Sequence, residues 1–230
     1  MNLWKMLEAT EFWSAIAGAF VGGLIALALQ YLSLREGRRE RQEERKQRQK
    51  AHANALLFKM MRVHSNCLSI FKYIEEALAT GINSESEVEA WEVVRGLANV
   101  PEAVHFSSDE MSTLLAMGDH DVFNRVIEQD TLHNSLLDTV RLYTRKREQL
   151  SERFADVCDL DTEAGAHLGG AVKIEDAKKI RPLMVEVNHL INDLRKSASM
   201  YSEESLSALG RLHKIFRDKL ELPYTLEIKA

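Results

Sequence analysis

The chain has 230 residues, with 30 Lys and Arg against 35 Asp and Glu, 45% apolar residues, 3 Pro and 2 Cys. That apolar share excludes global disorder, and so few prolines exclude a turn-rich all-β fold in favour of long helices. Two cysteines exclude a disulfide framework and suit a reducing compartment.

Residues 1–11 read as a short extracytoplasmic N-terminus. From Phe12 to Leu34 follow 23 residues without a charge, FWSAIAGAFVGGLIALALQYLSL. As a helix rising about 1.5 Å per residue this run covers a hydrocarbon core of about 30 Å. Trp4, Phe12 and Trp13 mark one interface and Tyr31 the other. The spacing predicts a transmembrane helix over 12–34. Ala26-Leu27-Ala28 has the form of a signal-peptidase site. The acids Glu8 and Glu11, an apolar run that continues to Leu34, and the dense Arg/Lys that follows argue against cleavage.

Small residues share one face of this helix: Ala15, Gly18, Ala19, Gly22, Gly23 and Ala26. Two overlapping small-xxx-small rows let backbones approach closely, so this face is the candidate for helix packing and homo-oligomer formation in lipid.

Residues 35–50 read as a basic juxtamembrane helical stalk that continues the membrane helix, with eight Lys or Arg and four Glu, all good helix formers. Arg35, Arg38, Arg39, Arg41, Arg45 and Lys46 are candidates for anionic-lipid contact. Glu44 and Arg48 form an attractive i,i+4 pair, whereas Glu40 and Glu44 repel. Lys and Arg concentrate after the apolar run, so the positive-inside rule puts the N-terminus outside and the body in the cytoplasm of a single-pass cell-membrane protein. The remainder, 51–230, is acidic. No specific nucleic-acid partner is expected of it.

The body reads as all-α: an antiparallel cytoplasmic bundle over 51–222, of about four long helices plus short linking helices, with a tail at 223–230. Ala53, Leu56, Met60, Val63, Cys67, Ile70, Ile74 and Ala77 recur at 3-4 spacing, with Leu57, Met61, Leu68, Phe71 and Leu78 beside them. This helix should end near Gly81. Ser84 to Glu87 reads as a capping box opening a short helix to about Ala98, before Pro101. Ser107-Ser108-Asp109-Glu110 opens another, closed at Gly118. A long helix is expected from Asp119 to about Cys158, striped by Val122, Val126, Gln129, His133, Leu136, Val140, Tyr143, Arg147, Leu150 and Phe154. Residues 159–172 read as loop. A further helix over 174–201, with Pro182 in its early turns or kinking it, precedes a last one capped by Ser202 and ended by Pro223.

Candidate chemistry was sought at each cluster. Asp159, Asp161 and Glu163 resemble the opening of a calcium loop, but Ala164 and Gly170 stand where it needs Gly and Glu. His64 and Cys67 share a helix face without a second Cys/His pair, and Asp156, Cys158, Asp159 and His167 cluster only in sequence. Arg125 and His133, like Arg181 and His189, have seven residues between them, outside the Arg-x4–6-His spacing of some helical ribonucleases. No phosphate-binding, nucleophile-elbow or zinc-protease motif occurs. The expectation is therefore a membrane-anchored interaction protein (scaffold, sensor or oligomeric effector) without catalytic residues, cofactor or metal. Its partners would be the lipid bilayer, further copies of the chain and a protein on the cytoplasmic body. A pore-forming effector is the alternative, and a tethered hydrolase or nuclease with an unrecognised site the second.

Overall fold

The computed structural model describes residues 10–81, 88–157 and 174–221. All its elements are helices: 89% of the described residues are helical and none is in a strand. In chain order they are α1 (Thr10–Gly81), α2 (Ala90–Val93), α3 (Ser108–Ala116), α4 (His120–Val157) and α5 (Ile174–Leu220). Residues 1–9, the capping box at Ser84–Glu87, the loop at 159–172 with its acidic cluster, Cys158, His167, and the tail with Pro223 lie outside the described residues. The chain divides into two compact units, Met1–Ala51 and His52–Ala230.

In the second unit, apolar side chains form two clusters. One gathers Val63, Cys67, Ile70 and Ile74 of α1, Trp91 of α2, Leu136 to Phe154 of α4 and Ile180 to Ala198 of α5. The other gathers Ala53 to Met60 of α1, Leu114 of α3, Val122 and Val126 of α4, and Ala208 to Phe216 of α5. The order in which each helix enters the clusters sets its direction. Within this unit α1 and α4 run in the same sense and α5 runs opposite to both. Segment 88–118 makes the return between α1 and α4, with α2 against the first cluster and α3 against the second.

Two expected elements take a different form. The helix expected to reach Ala98 stops at Val93, and Val94 is extended at φ −82 and ψ 113. The cause is tertiary. The Val94 carbonyl accepts from the Tyr143 hydroxyl at 2.6 Å and from Arg147 Nε at 2.9 Å, so a buried tyrosine and a half-buried arginine take the bonding a further helical turn would use. Further on, the two helices expected over 174–201 and from Ser202 are one, α5. Ser202 is buried inside it rather than capping it, and the helix continues through Pro182. No proline follows Pro182 until Pro223, and no glycine until Gly210, so nothing local breaks the run. Three long helices therefore take the place of four.

The start of α3 is as expected. Ser107 accepts from the Glu110 N–H, and the Glu110 carboxylate accepts from the Ser107 N–H at 2.7 Å. Glu110 also meets Lys59 Nζ of α1 at 2.8 Å. Burial by itself would raise the Glu110 pKa. The Lys59 ammonium with the Ser107 N–H and hydroxyl outweighs it and holds the carboxyl below its ordinary range. Gly118 has φ +73, the left-handed conformation that ends the turn before α4.

Candidate functional site

Residues 10–51 of α1 are helical throughout, and from Trp13 to Leu34 every side chain is exposed. Phe20, Leu27 and Tyr31 keep 68%, 63% and 67% of their surface open, which is costly for apolar groups in water. Among the described residues this is the one helix long and apolar enough to cross a membrane, by length and composition. Ala15, Gly18, Ala19, Gly22, Gly23 and Ala26 lie along it. A Cβ built on Gly18, Gly22 or Gly23 meets nothing within 4 Å, so the face is open.

The helix continues into the charged stretch, where Arg35, Arg38, Arg39, Arg41, Arg45 and Lys46 are all exposed. Glu44 and Arg48 pair at 3.8 Å, as their spacing predicts, and Arg39 pairs with Glu43 at 3.6 Å. These loose, solvated contacts contribute little to stability.

In the second unit a polar layer separates the two apolar clusters. Gln129 and His133 of α4 and Ser202 and Ser205 of α5 are its buried members, with His64 and Asn66 of α1 at the edge. Asn66 Nδ2 donates to His133 Nε2 at 3.0 Å, and His133 Nδ1 donates to Asn134 Oδ1 at 3.2 Å. Asn134 in turn donates to Asp130 Oδ1 and to the Val104 carbonyl, each at 3.2 Å. This fixes His133 as the neutral Nδ1–H tautomer. His64 Nδ1 donates to the Ser202 carbonyl at 3.0 Å, and Ser205 Oγ donates to the same carbonyl at 2.9 Å. Only the histidine and glutamine of this layer stood out in the sequence stripe. Ser202 read as a cap and Ser205 gave no signal, because small hydroxyl residues suit caps and buried helix faces alike.

Burial of His133 disfavours its charged form and lowers its pKa, against the partial support of Asn134 and Asp130. The unfolded chain then takes up a proton near the ordinary value of about 6.5 before the folded chain does. Folding stability should be insensitive to this group above that pH and should fall as the pH drops below it. Thermal midpoints of the detergent-solubilised chain between pH 7.5 and 5.5 measure the effect. His133→Gln should lose part of the decline, and an unchanged decline would remove His133 as a cause.

Several of the remaining sequence candidates sit in structural roles, while Arg181 and His189 are exposed. Cys67 is fully buried, and burial pushes its thiol up to about 12, so it is a small apolar core residue at neutral pH. Arg125 is held by Asp121 one turn earlier. In the basic run of α4, Arg141 pairs with Asp138, Lys146 with Glu186, and Arg147 with the Val94 carbonyl. Among the described residues no group of three or more His, Cys, Asp or Glu is placed to hold a metal. Shallow grooves open beside Thr144 and Arg147, beside Glu75 and Arg195, and beside Ser135 and Tyr201. Cys67, His133 and Tyr143 line none of these three. No protein-family model, curated protein or solved structure matches the chain.

Proposed function

We propose that the chain is a single-pass membrane protein that acts by assembly and partner binding rather than by catalysis. In this reading residues 12–34 span the membrane with the N-terminus outside, and 35–50 lie against anionic headgroups. Residues 51–222 form a cytoplasmic helical bundle that carries a protein-binding surface. The observation that supports it most is the helical run from Trp13 to Leu34. Its apolar side chains have no protein around them, and a dense basic stretch follows directly.

Self-association is the second part of the proposal. Lipid tails are as apolar as Leu, so burying large apolar side chains gains little in a bilayer, whereas close backbone contact gains dispersion and weak Cα–H···O bonds. Gly18→Ile and Gly22→Ile fill the open face while keeping the helix hydrophobic. Both variants should still insert, and oligomers seen by cross-linking in membranes and by native mass in mild detergent should weaken. Identical species for wild type and both variants would remove the small-residue face as the interface. A wide pore needs a continuous polar face on the membrane helix. Its polar side chains are Ser14, Gln30 and Ser33, with Ser14 near the opposite end of the helix from the other two, so assembly without a wide pore is the favoured reading.

A further inference from the structure

Helix α1 sorts its charges between Arg35 and Lys50 onto opposite sides. At about 100° per residue, Glu36, Glu43 and Glu44 fall within roughly 60° of the direction of Glu40. Every Lys and Arg of the stretch falls about 80° or more away, and Arg35, Arg38 and Arg45 lie nearly opposite, at about 140–160°. Among the described residues Glu36, Glu40, Arg38 and Arg45 have no ion partner, while the two i,i+4 pairs run along the borders between the faces. The apolar part of the same unit is sorted less strictly, since Leu29 at about 20° and Ile25 at about 60° also fall on the acidic side and Ala17 at about 140° falls on the basic one. Gly22 lies five turns before Glu40, so Ala15, Gly18, Gly22 and Ala26 share the acidic side. Trp13, Phe20, Leu24, Leu27 and Tyr31 lie on the basic side, about 140–180° from it.

From this we infer that α1 docks onto a second copy of itself head to tail, the small and acidic face of one chain receiving the bulky and basic face of the next. The inference rests on the self-association proposed above and specifies its geometry. Charge complementarity decides the occupant and the mode. Copies inserted in the same orientation present the same charges at the same depth. A two-fold contact through the acidic face sets Glu40 against Glu40 and Glu44 against Glu44. A two-fold contact through the basic face sets Arg38 and Arg45 against their own copies. The head-to-tail contact sets carboxylates against guanidinium groups at contact distance, where salt screens them least. It also sets large side chains of one chain against the small row of Ala15, Gly18, Gly22 and Ala26 of the next. Such a contact leaves an acidic face free at one end and a basic face free at the other, so assembly does not stop at two copies and proceeds to a ring or a row.

Cysteine cross-linking in membranes tests this. In a background of Cys67→Ala and Cys158→Ser, Glu40→Cys marks the acidic face. Gln42→Cys, about 160° away, marks the basic one. The two thiols of one helix point apart and cannot bridge within a chain. Under oxidation each single variant should stay monomeric, and the double variant should give a ladder of dimer, trimer and larger species. Covalent dimers from Glu40→Cys alone or from Gln42→Cys alone would establish a two-fold contact and overturn the head-to-tail mode. Native mass of the cysteine-free parent separates the two levels. An oligomeric parent whose double variant forms no ladder overturns this inference and leaves self-association standing, whereas a monomeric parent overturns both.

Discussion

Trp91→Ala should lower the unfolding free energy by about 3–5 kcal/mol, as truncation of a buried aromatic does. That is a large fraction of the roughly 5–15 kcal/mol that holds a domain folded. Trp91 is 1% exposed although its helix, α2, has only four residues. Its ring stacks on Phe154 at 5.8 Å with 11° between the planes, and its indole N–H donates to Glu89 at 2.8 Å. It is the anchor by which segment 88–106 is held against the long helices. Beside it, Val94 is fully buried, and its carbonyl carries the bonds from Tyr143 and Arg147. Removing the indole leaves a cavity against Phe154 that a short helix with so few contacts cannot close by shifting. Chemical denaturation of the detergent-solubilised chain gives the test. Trp91→Phe should retain the stacking and lose less than half as much. A loss from Trp91→Ala no larger than that of an exposed alanine substitution such as Glu128→Ala would show that 88–106 is not held by this residue.

Phe20→Arg combined with Leu24→Arg should abolish membrane insertion. Ten Leu, Ile, Phe and Val residues lie between Phe12 and Leu34. On the insertion scale they contribute roughly −3 to −6 kcal/mol together, and each Arg near the centre of the span costs about 2.5–3.5 kcal/mol. Two arginines also remove two of the ten favourable residues, so the balance turns against insertion. Phe20→Leu with Leu24→Ile conserves the apolar character and should insert as wild type does. Cell fractionation reads the outcome. A double-arginine variant that still resists extraction from membranes would mean that another part of the chain holds it there.

Much of the fold was legible because helical periodicity survives into packing. Ala53, Leu56, Met60, Val63, Cys67, Ile70 and Ile74, spaced at threes and fours, are all 1% exposed or less. In α4 the same spacing carried polar residues correctly. Gln129 and His133 are buried where the stripe put them, and Arg147 is half-buried. The second stripe of α1 was less informative, since Leu57 is buried while Met61 is 38% exposed. Residues at the edge of a wide apolar face depend on how close the neighbouring helix comes, which periodicity does not encode.

The errors share a cause. Ser202 reads as a helix start in isolation, but it lies between Ala198 and Ala208 on a buried face, where its carbonyl accepts from the Ser205 hydroxyl and from His64 of α1. Segment 94–98 carries one local signal against helix, Gly96, and the bonds that end the helix come from residues 49 and 53 positions further on. Of the candidate site, the small-residue row and the basic stretch were legible as composition. The continuous helix through the stalk was legible in its run of Arg, Glu, Gln and Lys, and the opposition of acidic and basic faces follows from that continuity.

Alkaline carbonate extraction of membranes from cells expressing the full chain, with a protease-sensitive tag after Ala230, tests the central claim most directly. The chain should stay in the membrane pellet and be released by detergent only, and external protease should remove the tag only after the cells are opened. Release of the chain by carbonate, or cleavage of the tag in intact cells, would contradict it.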